Sequence, residues 1–347
     1  MKIFRNRTLF FVVTVLASLL FTKYYFLLTH EYYEPASSKR MADFKADKVF
    51  QKRVLPILFA KGMVYITEIS LDRALKICCV ASCIALLYGF GALLRETAPN
   101  SPPGAEFLLF VPVSWNFIAL NGIYHSYDIP SLAFFCWGVV LFLRHRYTWF
   151  YLVYALATLN RESTCFITIA LFALLLRTHR EKLTPFLLGE LWKDNRLLLL
   201  HCAGQTILWL LVKNSLEYAF RGNPGTYYEE TFSMITFLEN ALAGKASWPY
   251  IAPDTFFGNP RCFFTLFMGI WLLIPFLWSF VPEQTRKLLW IVPPYFLVAA
   301  LYANLMESRV YHEVNIVLAA CFVAGLSGWW RSRSTKSDKV KNHPAFG

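Results

Sequence analysis

Charged residues are scarce in this chain. They make up only 16% of its 347 residues, whereas 56% are hydrophobic and 18% are aromatic. Together with a mean hydropathy of +0.42, this composition excludes an ordinary soluble globular protein, because such proteins carry about 25% charged residues. The sequence therefore predicts a polytopic membrane protein that forms a single integral membrane domain over residues 1–347.

The sequence also lacks the patterns of several other protein classes. Seven of its eight cysteines lie within apolar runs, with the spacing of neither a disulfide framework nor a zinc site. No convincing internal repeat is present, which argues against transporters built from repeated halves. The excess of 34 Lys and Arg over 22 Asp and Glu lies largely in the termini and short connections. It therefore indicates membrane topology and attraction to the lipid bilayer, and no nucleic-acid partner is expected.

Basic clusters orient the apolar runs, because Lys and Arg beside a span favour the cytoplasmic side. The clusters at residues 144–146, 177–182, 286–287 and 331–341 are assigned to the cytoplasm on this basis. The result is an all-α transmembrane bundle of about ten spans, with both termini cytoplasmic. The spans are residues 8–29, 74–94, 106–123, 131–143, 148–157, 165–176, 197–212, 263–281, 288–304 and 314–330.

The connections divide between the two sides of this bundle. Residues 30–73 form the first outer loop, residues 213–261 the long outer loop, and residues 331–347 a cytoplasmic tail. Within the first loop, residues 54–67 are too short to cross the membrane and are expected to lie along the interface. An amphipathic helix over residues 183–196 is expected on the cytoplasmic surface, and one over residues 229–242 against the outer loops.

Arg161 and Glu162 stand between two short apolar runs, where a charge costs about 2.5 to 3.5 kcal/mol at the centre of a span. Since both runs are flanked by cytoplasmic basic clusters, they are expected to form a hairpin with Asn160, Arg161 and Glu162 at the outer membrane face. A purely structural ion pair that caps two short helices is the alternative.

The same topology brings further polar residues to the outer face. A transferase needs such a cluster, because a carboxylate can serve as the base and the guanidinium group of arginine binds phosphate at two points. Each residue also has a structural alternative, such as a helix cap for Asp128 or a solvated span end for Glu307 and Arg309. The residues are Glu31, Glu34 and Asp43 in the first loop, His125 and Asp128 in a polar turn, and Glu307, Arg309 and His312 before the last span.

Four short segments carry a resemblance to a known superfamily. They are residues 50–56 (FQKRVLP), 127–130 (YDIP), 160–163 (NRES) and 307–311 (ESRVY). In this order they resemble segments of bacterial polytopic membrane proteins related to the GT-C glycosyltransferases. The resemblance covers about residues 8 to 330.

The resemblance implies an enzyme of the bacterial inner membrane that moves a sugar from a polyprenyl-phosphate carrier to an acceptor at the outer face. Glu31, Glu34 or Asp43 would be the base, although no clear acidic pair directly follows the first span. The family allows a divalent cation, Mg or Mn, and partner subunits of an envelope glycan pathway. Arg53, Arg161 and Arg309 would contact phosphate, Asp128, Glu162 and Glu307 would orient them, and Asn160, His125 and His312 would complete the substrate site.

Two other classes of function remain open at this point. One is a transporter or flippase for a lipid-linked or anionic solute, with Arg161 and Arg309 as binding residues. The other is a noncatalytic subunit of an envelope-assembly complex.

Overall fold

The computed structural model describes residues 7–31, 34–120, 123–175, 187–225, 265–302 and 311–341. This part of the chain is all-helical, with 84% helix and no strands, which confirms the predicted all-α class. The α-helices are α1 (Arg7–Leu28), α2 (Ser38–Ala42), α3 (Lys48–Gln51), α4 (Leu55–Thr67), α5 (Leu71–Thr97), α6 (Phe110–Ser114), α7 (Asp128–Leu143), α8 (Tyr147–Asn160), α9 (Cys165–Leu175), α10 (Leu187–Ala219), α11 (Ile270–Leu277), α12 (Glu283–Leu288), α13 (Val292–Tyr302) and α14 (His312–Lys341).

Four helical stretches among the described residues are long and apolar enough to cross a membrane: Arg7–Leu28, Leu71–Thr97, Asn195–Ala219 and His312–Ser334. The other predicted spans coincide with shorter apolar helices, such as α7, α8 and α9. The structure therefore has the helices of a membrane protein. The count of ten crossings requires the shorter helices to cross as well, and it stays a prediction.

Several predicted boundaries are wrong. Residues 187–219 form one continuous helix, where the sequence predicted a surface helix over residues 183–196 followed by a separate span. No proline interrupts α10, so its polar first half and apolar second half continue as a single helix to the turn before Pro224. The long outer loop consequently begins after Ala219. The helix predicted over residues 229–242 lies outside the described residues.

Two further predicted spans differ from the regular helices that the sequence predicted. Residues 105–119 were predicted as part of one span, but the chain forms a 3-10 turn, the short helix α6 and a π-helical turn in succession. Pro293 and Pro294, which were expected to kink a span, lie in the first turn of α13. Proline is tolerated there because the first-turn N–H groups have no partner within the helix.

The helices pack around aromatic and small side chains. α5 lies against both α1 and α7, and α7 in turn packs on α8. A Cβ atom at Gly89 of α5 would lie 3.0 Å from Cys136 Cβ of α7, so a glycine at this position allows the two helices to approach closely. Tyr25, Phe90 and Phe135 are among the fully buried side chains of this core.

The first loop folds over one end of the bundle. Met41 of α2 and Ile57 of α4 form a second apolar cluster with Tyr127, which directly precedes α7. α4 exposes a row of large apolar side chains, among them Phe59 and Tyr65. That exposure fits the interfacial position predicted for residues 54–67, which stays a prediction.

The opposite end of the bundle carries its own polar contacts. Arg144, which caps α7, lies 2.7 Å from Glu96 near the end of α5. The hydroxyl of Thr285 in α12 donates to the carbonyl of Thr97 at 2.8 Å. The C-terminal ends of α5 and α7 therefore lie together. This agrees with α5 running antiparallel to α1 and α7 running antiparallel to α8.

Candidate functional site

The end of the bundle beneath the first loop contains a buried arginine. Arg161 interrupts the helical hairpin: its backbone is extended (φ −164°, ψ 143°), between the end of α8 and a 3-10 turn over Glu162–Thr164. Its Nη1 atom lies 3.3 Å from Oδ1 of Asp128, whose side chain is fully buried at the start of α7. Because the pair is removed from water, it has to be satisfied within the protein.

His312 completes this centre from the start of α14. Its Nδ1 atom lies 3.0 Å from Nη1 of Arg161, a residue 151 positions away in sequence. Nε2 lies 3.2 Å from a carboxylate oxygen of Glu313. Nε2 also lies 3.1 Å from Nη1 of Arg161, so both ring nitrogens of His312 face the guanidinium group.

Glu313 receives further donors. The Ser163 hydroxyl donates to one of its carboxylate oxygens and the Tyr295 hydroxyl donates to the other. Two hydroxyl groups and the His312 ring thus surround a side chain that is 3% exposed. The polar atoms of this buried side chain therefore have partners within the protein. We call the group of Asp128, Arg161, His312 and Glu313 the buried polar centre.

Asn160 joins the two helices that carry this centre. Its amide nitrogen donates to the carbonyl of Tyr127 at 3.0 Å and to the hydroxyl of Ser131 at 2.9 Å. These bonds fix the end of α8 to the first turn of α7. They hold the backbone next to Arg161 at the distance from Asp128 that the ion pair needs.

An ion network connects the hairpin with the first loop. Nζ of Lys52 lies 2.9 Å from Glu162 and 3.0 Å from Glu217 near the end of α10, and Lys48 also pairs with Glu217. Burial lowers the pKa of Lys52, but the two carboxylates outweigh this effect and the pKa lies above its ordinary value. Lys52 is thus held in its charged form. The indole N–H of Trp209 in α10 donates to the carbonyl of Glu162 at 2.8 Å.

An aromatic stack lies beside these ion pairs. The His125 ring lies between Phe50 (5.7 Å, 6°) and Tyr127 (5.1 Å, 23°). The guanidinium group of Arg53 lies 4.4 Å from the centre of the Tyr127 ring, and it also donates to the Tyr127 hydroxyl. The first loop, the polar turn and the hairpin are thereby joined around Tyr127.

The structure therefore brings together most of the predicted site residues that it describes. Glu307 and Arg309 lie outside the described residues. The residues at or next to the buried polar centre are Arg53, His125, Asp128, Asn160, Arg161, Glu162 and His312.

The three first-loop carboxylates have other surroundings. Glu31 accepts a hydrogen bond from the Ser38 backbone at 3.0 Å, and Glu34 lies 3.4 Å from Arg40. Asp43 is exposed at the end of α2. All three are exposed and have their contacts within the first loop or its immediate neighbours, so the structure does not join them to Arg161. Their role as a base stays a prediction.

Sequence reasoning did not select several residues that contact this site, among them Lys52, Ser163, Glu313 and Tyr295. Lys52 and Ser163 are direct neighbours of selected residues, so their positions were detectable. Glu313 had a clear signal, because it begins a long apolar run, but it was treated only as part of a charged turn. Tyr295 had no signal in the sequence, since it stands inside an apolar run after two prolines.

The space within the buried polar centre is small. A crevice next to Arg161, lined also by Ser163, Thr164 and Glu313, has a volume of about 10 Å³, which is room for one water molecule. Nη1 is the guanidinium nitrogen that the described residues engage. Arginine has five N–H donors, and among the described residues none bonds to Nε or Nη2, which leaves these two nitrogens for a ligand that enters this crevice.

No metal site is evident in the ranges that the structure covers. No group of three or more His, Cys, Asp and Glu side chains there is placed to hold a metal ion. The Mg or Mn ion allowed by the resemblance stays a prediction.

In comparisons with known proteins, no family model, no curated protein and no solved structure matches this chain. The functional argument therefore rests on the geometry of its own residues.

Proposed function

We propose that this chain is a bacterial inner-membrane glycosyltransferase of the GT-C type. It would move a sugar from a polyprenyl-phosphate donor to an acceptor at the outer face, with ten spans and both termini in the cytoplasm. The observation that carries the proposal is the buried polar centre, which residues from three distant parts of the chain build at one end of an apolar bundle. Charges in such surroundings are costly and are usually functional.

The proposed reaction is a single displacement. An acceptor hydroxyl oxygen attacks the anomeric carbon of the sugar, and the bond between that carbon and the phosphate oxygen breaks. The hydroxyl proton passes to a carboxylate, and the polyprenyl phosphate leaves with the bonding electron pair. The leaving group needs charge stabilisation rather than a strong general acid.

Arg161 is proposed to stabilise this leaving group through Nε and Nη2, while Asp128 and His312 hold Nη1. Arg53 is partly exposed beside the Tyr127 ring and would provide a second phosphate contact. Entry of the donor requires the crevice to widen, and the first loop above it is the segment that would move. Glu31, Glu34 or Asp43 is proposed as the base, because the resemblance implies a carboxylate of the first loop in that role and each of the three is solvent-exposed.

The test uses the purified full-length chain in lipid nanodiscs. Polyprenyl-phosphate-linked mannose, glucose and arabinose are supplied as donors, and release of polyprenyl phosphate is measured. Arg161→Lys keeps the charge but loses the planar guanidinium group, so turnover should fall about 100-fold or more. Arg146→Gln is the matched control, because Arg146 is an exposed residue at the other end of α8 and its loss should leave turnover unchanged.

Equal turnover in the Arg161→Lys and Arg146→Gln variants would contradict the proposed role of Arg161. Turnover that survives replacement of Glu31, Glu34 and Asp43 together by their amides would contradict a first-loop base. A wild-type chain that releases nothing from any of the donors while it binds polyprenyl phosphate would favour the noncatalytic subunit.

A transporter is the second candidate, because the structure contains broken helices. α8 and α9 are short helices separated at Arg161. Phe267 and Met268 adopt left-handed backbone angles (φ 53° and 55°) just before α11. Transporters bind their substrates at such breaks. Flipping of a fluorescent polyprenyl phosphate by reconstituted protein, without any sugar release, would support this function over the transferase.

A further inference from the structure

A second cavity lies on the outside of the bundle, in a groove between α1 and α5. Its volume is about 680 Å³, which is within the range of small-molecule sites. Most of its lining is apolar, and two lysines, Lys23 and Lys76, are its charged residues. The apolar lining is formed by Leu19, Phe26, Leu27, Ile77, Val80 and Ile84.

The groove is distinct from the buried polar centre. Tyr25 of α1 lies on the side of the polar turn, since its hydroxyl accepts from the His125 backbone at 3.3 Å and its side chain is fully buried. Lys23 precedes Tyr25 by two positions, which places it about 200° around the helix. Neither Tyr25 nor any residue of the buried polar centre lines the groove.

Both lysines lie near one end of the groove. Lys23 is five residues before the end of α1, and Lys76 is five residues after the start of α5. Each therefore lies about 7.5 Å inside the end of its own helix. The Lys76 ammonium group lies 5.4 Å from the centre of the Phe26 ring, and both residues line the groove. The groove thus combines an apolar lining with two ammonium groups.

The charge at this end of the groove is positive. Lys76 pairs with Asp72 at 2.6 Å, in an exposed i,i+4 contact. Lys23 makes no ion pair with any residue in the described ranges, and its contact there is with the neighbouring Tyr24 ring, at 6.0 Å. An ammonium group within an apolar helix gains from an anion at the headgroup level, by about 1 kcal/mol for each lysine near an anionic membrane surface.

We propose that this groove binds one anionic glycerophospholipid of the surrounding bilayer. Its phosphate would lie between the ammonium groups of Lys23 and Lys76, and an acyl chain would fill the apolar groove between α1 and α5. The occupant is a bilayer lipid rather than the polyprenyl-phosphate donor, because the groove is formed by α1 and α5 alone and no residue of the buried polar centre lines it.

Native mass spectrometry of the full-length chain in detergent tests this inference. Phosphatidylglycerol and phosphatidylcholine with the same acyl chains are titrated separately, and the bound fraction is measured. The wild type should retain phosphatidylglycerol preferentially. The Lys23→Gln/Lys76→Gln variant should bind it about 25-fold more weakly, since each lysine is expected to contribute about fivefold.

Two further variants separate groove binding from general attraction of anions. Ala81→Phe places a large side chain in the groove without any change of charge, so it should also abolish retention. Arg7→Gln removes an exposed positive charge at the other end of α1 and should leave retention unchanged.

Equal retention of the two lipids by the wild type would overturn the proposal, as would full retention by Ala81→Phe. Polyprenyl phosphate is the third titrant. If it displaces phosphatidylglycerol at equimolar concentration, the groove binds a lipid carrier and the assignment to a bilayer lipid is wrong.

Discussion

The contact between Arg161 and Asp128 offers the sharpest test of the buried polar centre. Their atoms are 3.3 Å apart and their side chains are 10% and 0% exposed. At an effective dielectric constant of 20, the Coulomb energy at this distance is about 5 kcal/mol. Arg161→Gln removes the positive charge that lies against the buried Asp128 carboxylate, so this variant should lose about 3 to 5 kcal/mol of unfolding free energy.

The companion variants complete a double-mutant cycle. Asp128→Asn removes the carboxylate that lies against the guanidinium group and should cost a similar amount of unfolding free energy. The double variant Asp128→Asn/Arg161→Gln removes both charges at nearly constant volume, so its cost should be well below the sum of the single costs. The expected coupling energy is about 2 to 4 kcal/mol, which is below the Coulomb value because the hydrogen bond is long.

Equilibrium unfolding in mixed dodecyl maltoside and SDS micelles measures these free energies. Arg144 and Glu96 provide the matched control, since they form an ion pair of 2.7 Å whose side chains are 42% and 30% exposed. The same cycle on that pair should give a coupling of at most about 1 kcal/mol, because water screens it. If the Arg161–Asp128 coupling is no larger than this, burial does not strengthen the pair and the reasoning fails.

Three further variants test other parts of the structure. Tyr295→Phe removes a donor to the buried Glu313 carboxylate and should cost about 1.5 to 3 kcal/mol in the same unfolding assay. Lys52→Gln removes the ion pairs that join the first loop to Glu162 and Glu217, so the first loop should be cleaved faster by a protease. The pKa of Lys52 is raised above its ordinary value of 10.5 in the folded wild type. The ion pairs of Lys52 should therefore persist at every pH below 10.5 and be lost as the pH rises through the higher folded-state pKa. Gly328→Ala should cost about 1 to 3 kcal/mol, since its Cβ would lie 2.7 Å from the Phe280 carbonyl oxygen.

Each of these variants has a control in the chain. Tyr218→Phe alters an exposed tyrosine and should leave the unfolding free energy nearly unchanged. Lys39→Gln alters an exposed lysine of the first loop, so proteolysis as fast as that of Lys52→Gln would refute the proposed anchoring. Gly62 has no atom within 4 Å of an added Cβ, so Gly62→Ala should stabilise α4 by about 0.5 to 1 kcal/mol. A loss of unfolding free energy in Gly62→Ala would contradict this argument from packing.

Much of the fold could be predicted because apolar runs are a strong signal. α1 and α5 begin and end within three residues of the predicted spans. α10 could not be predicted, because its polar half resembles an interfacial helix and local composition does not show whether two helical stretches are continuous. The irregular chain at residues 105–119 was missed for the same reason, since 3-10 and π turns depend on packing against neighbours.

The candidate site was predictable where charge stands out against apolar sequence. Arg161 and Asp128 were found in this way, and their shared end of the bundle followed from topology alone. Which charges actually meet depends on side-chain directions, so the ion pair of Lys52 with Glu162 and the hydroxyl contact of Tyr295 with Glu313 had no counterpart in the sequence.

The position of His312 and Glu313 at the start of α14 bears on how the protein is assembled during synthesis. Their partners Arg161, Ser163 and Tyr295 all precede them along the chain, so the ribosome has produced nearly the whole protein before these contacts can close. Until then, these three residues lack the hydrogen bonds that His312 and Glu313 provide. Truncation before residue 311 should therefore give a species that membrane quality control removes, even though the shortened chain still contains three of the four long apolar helices.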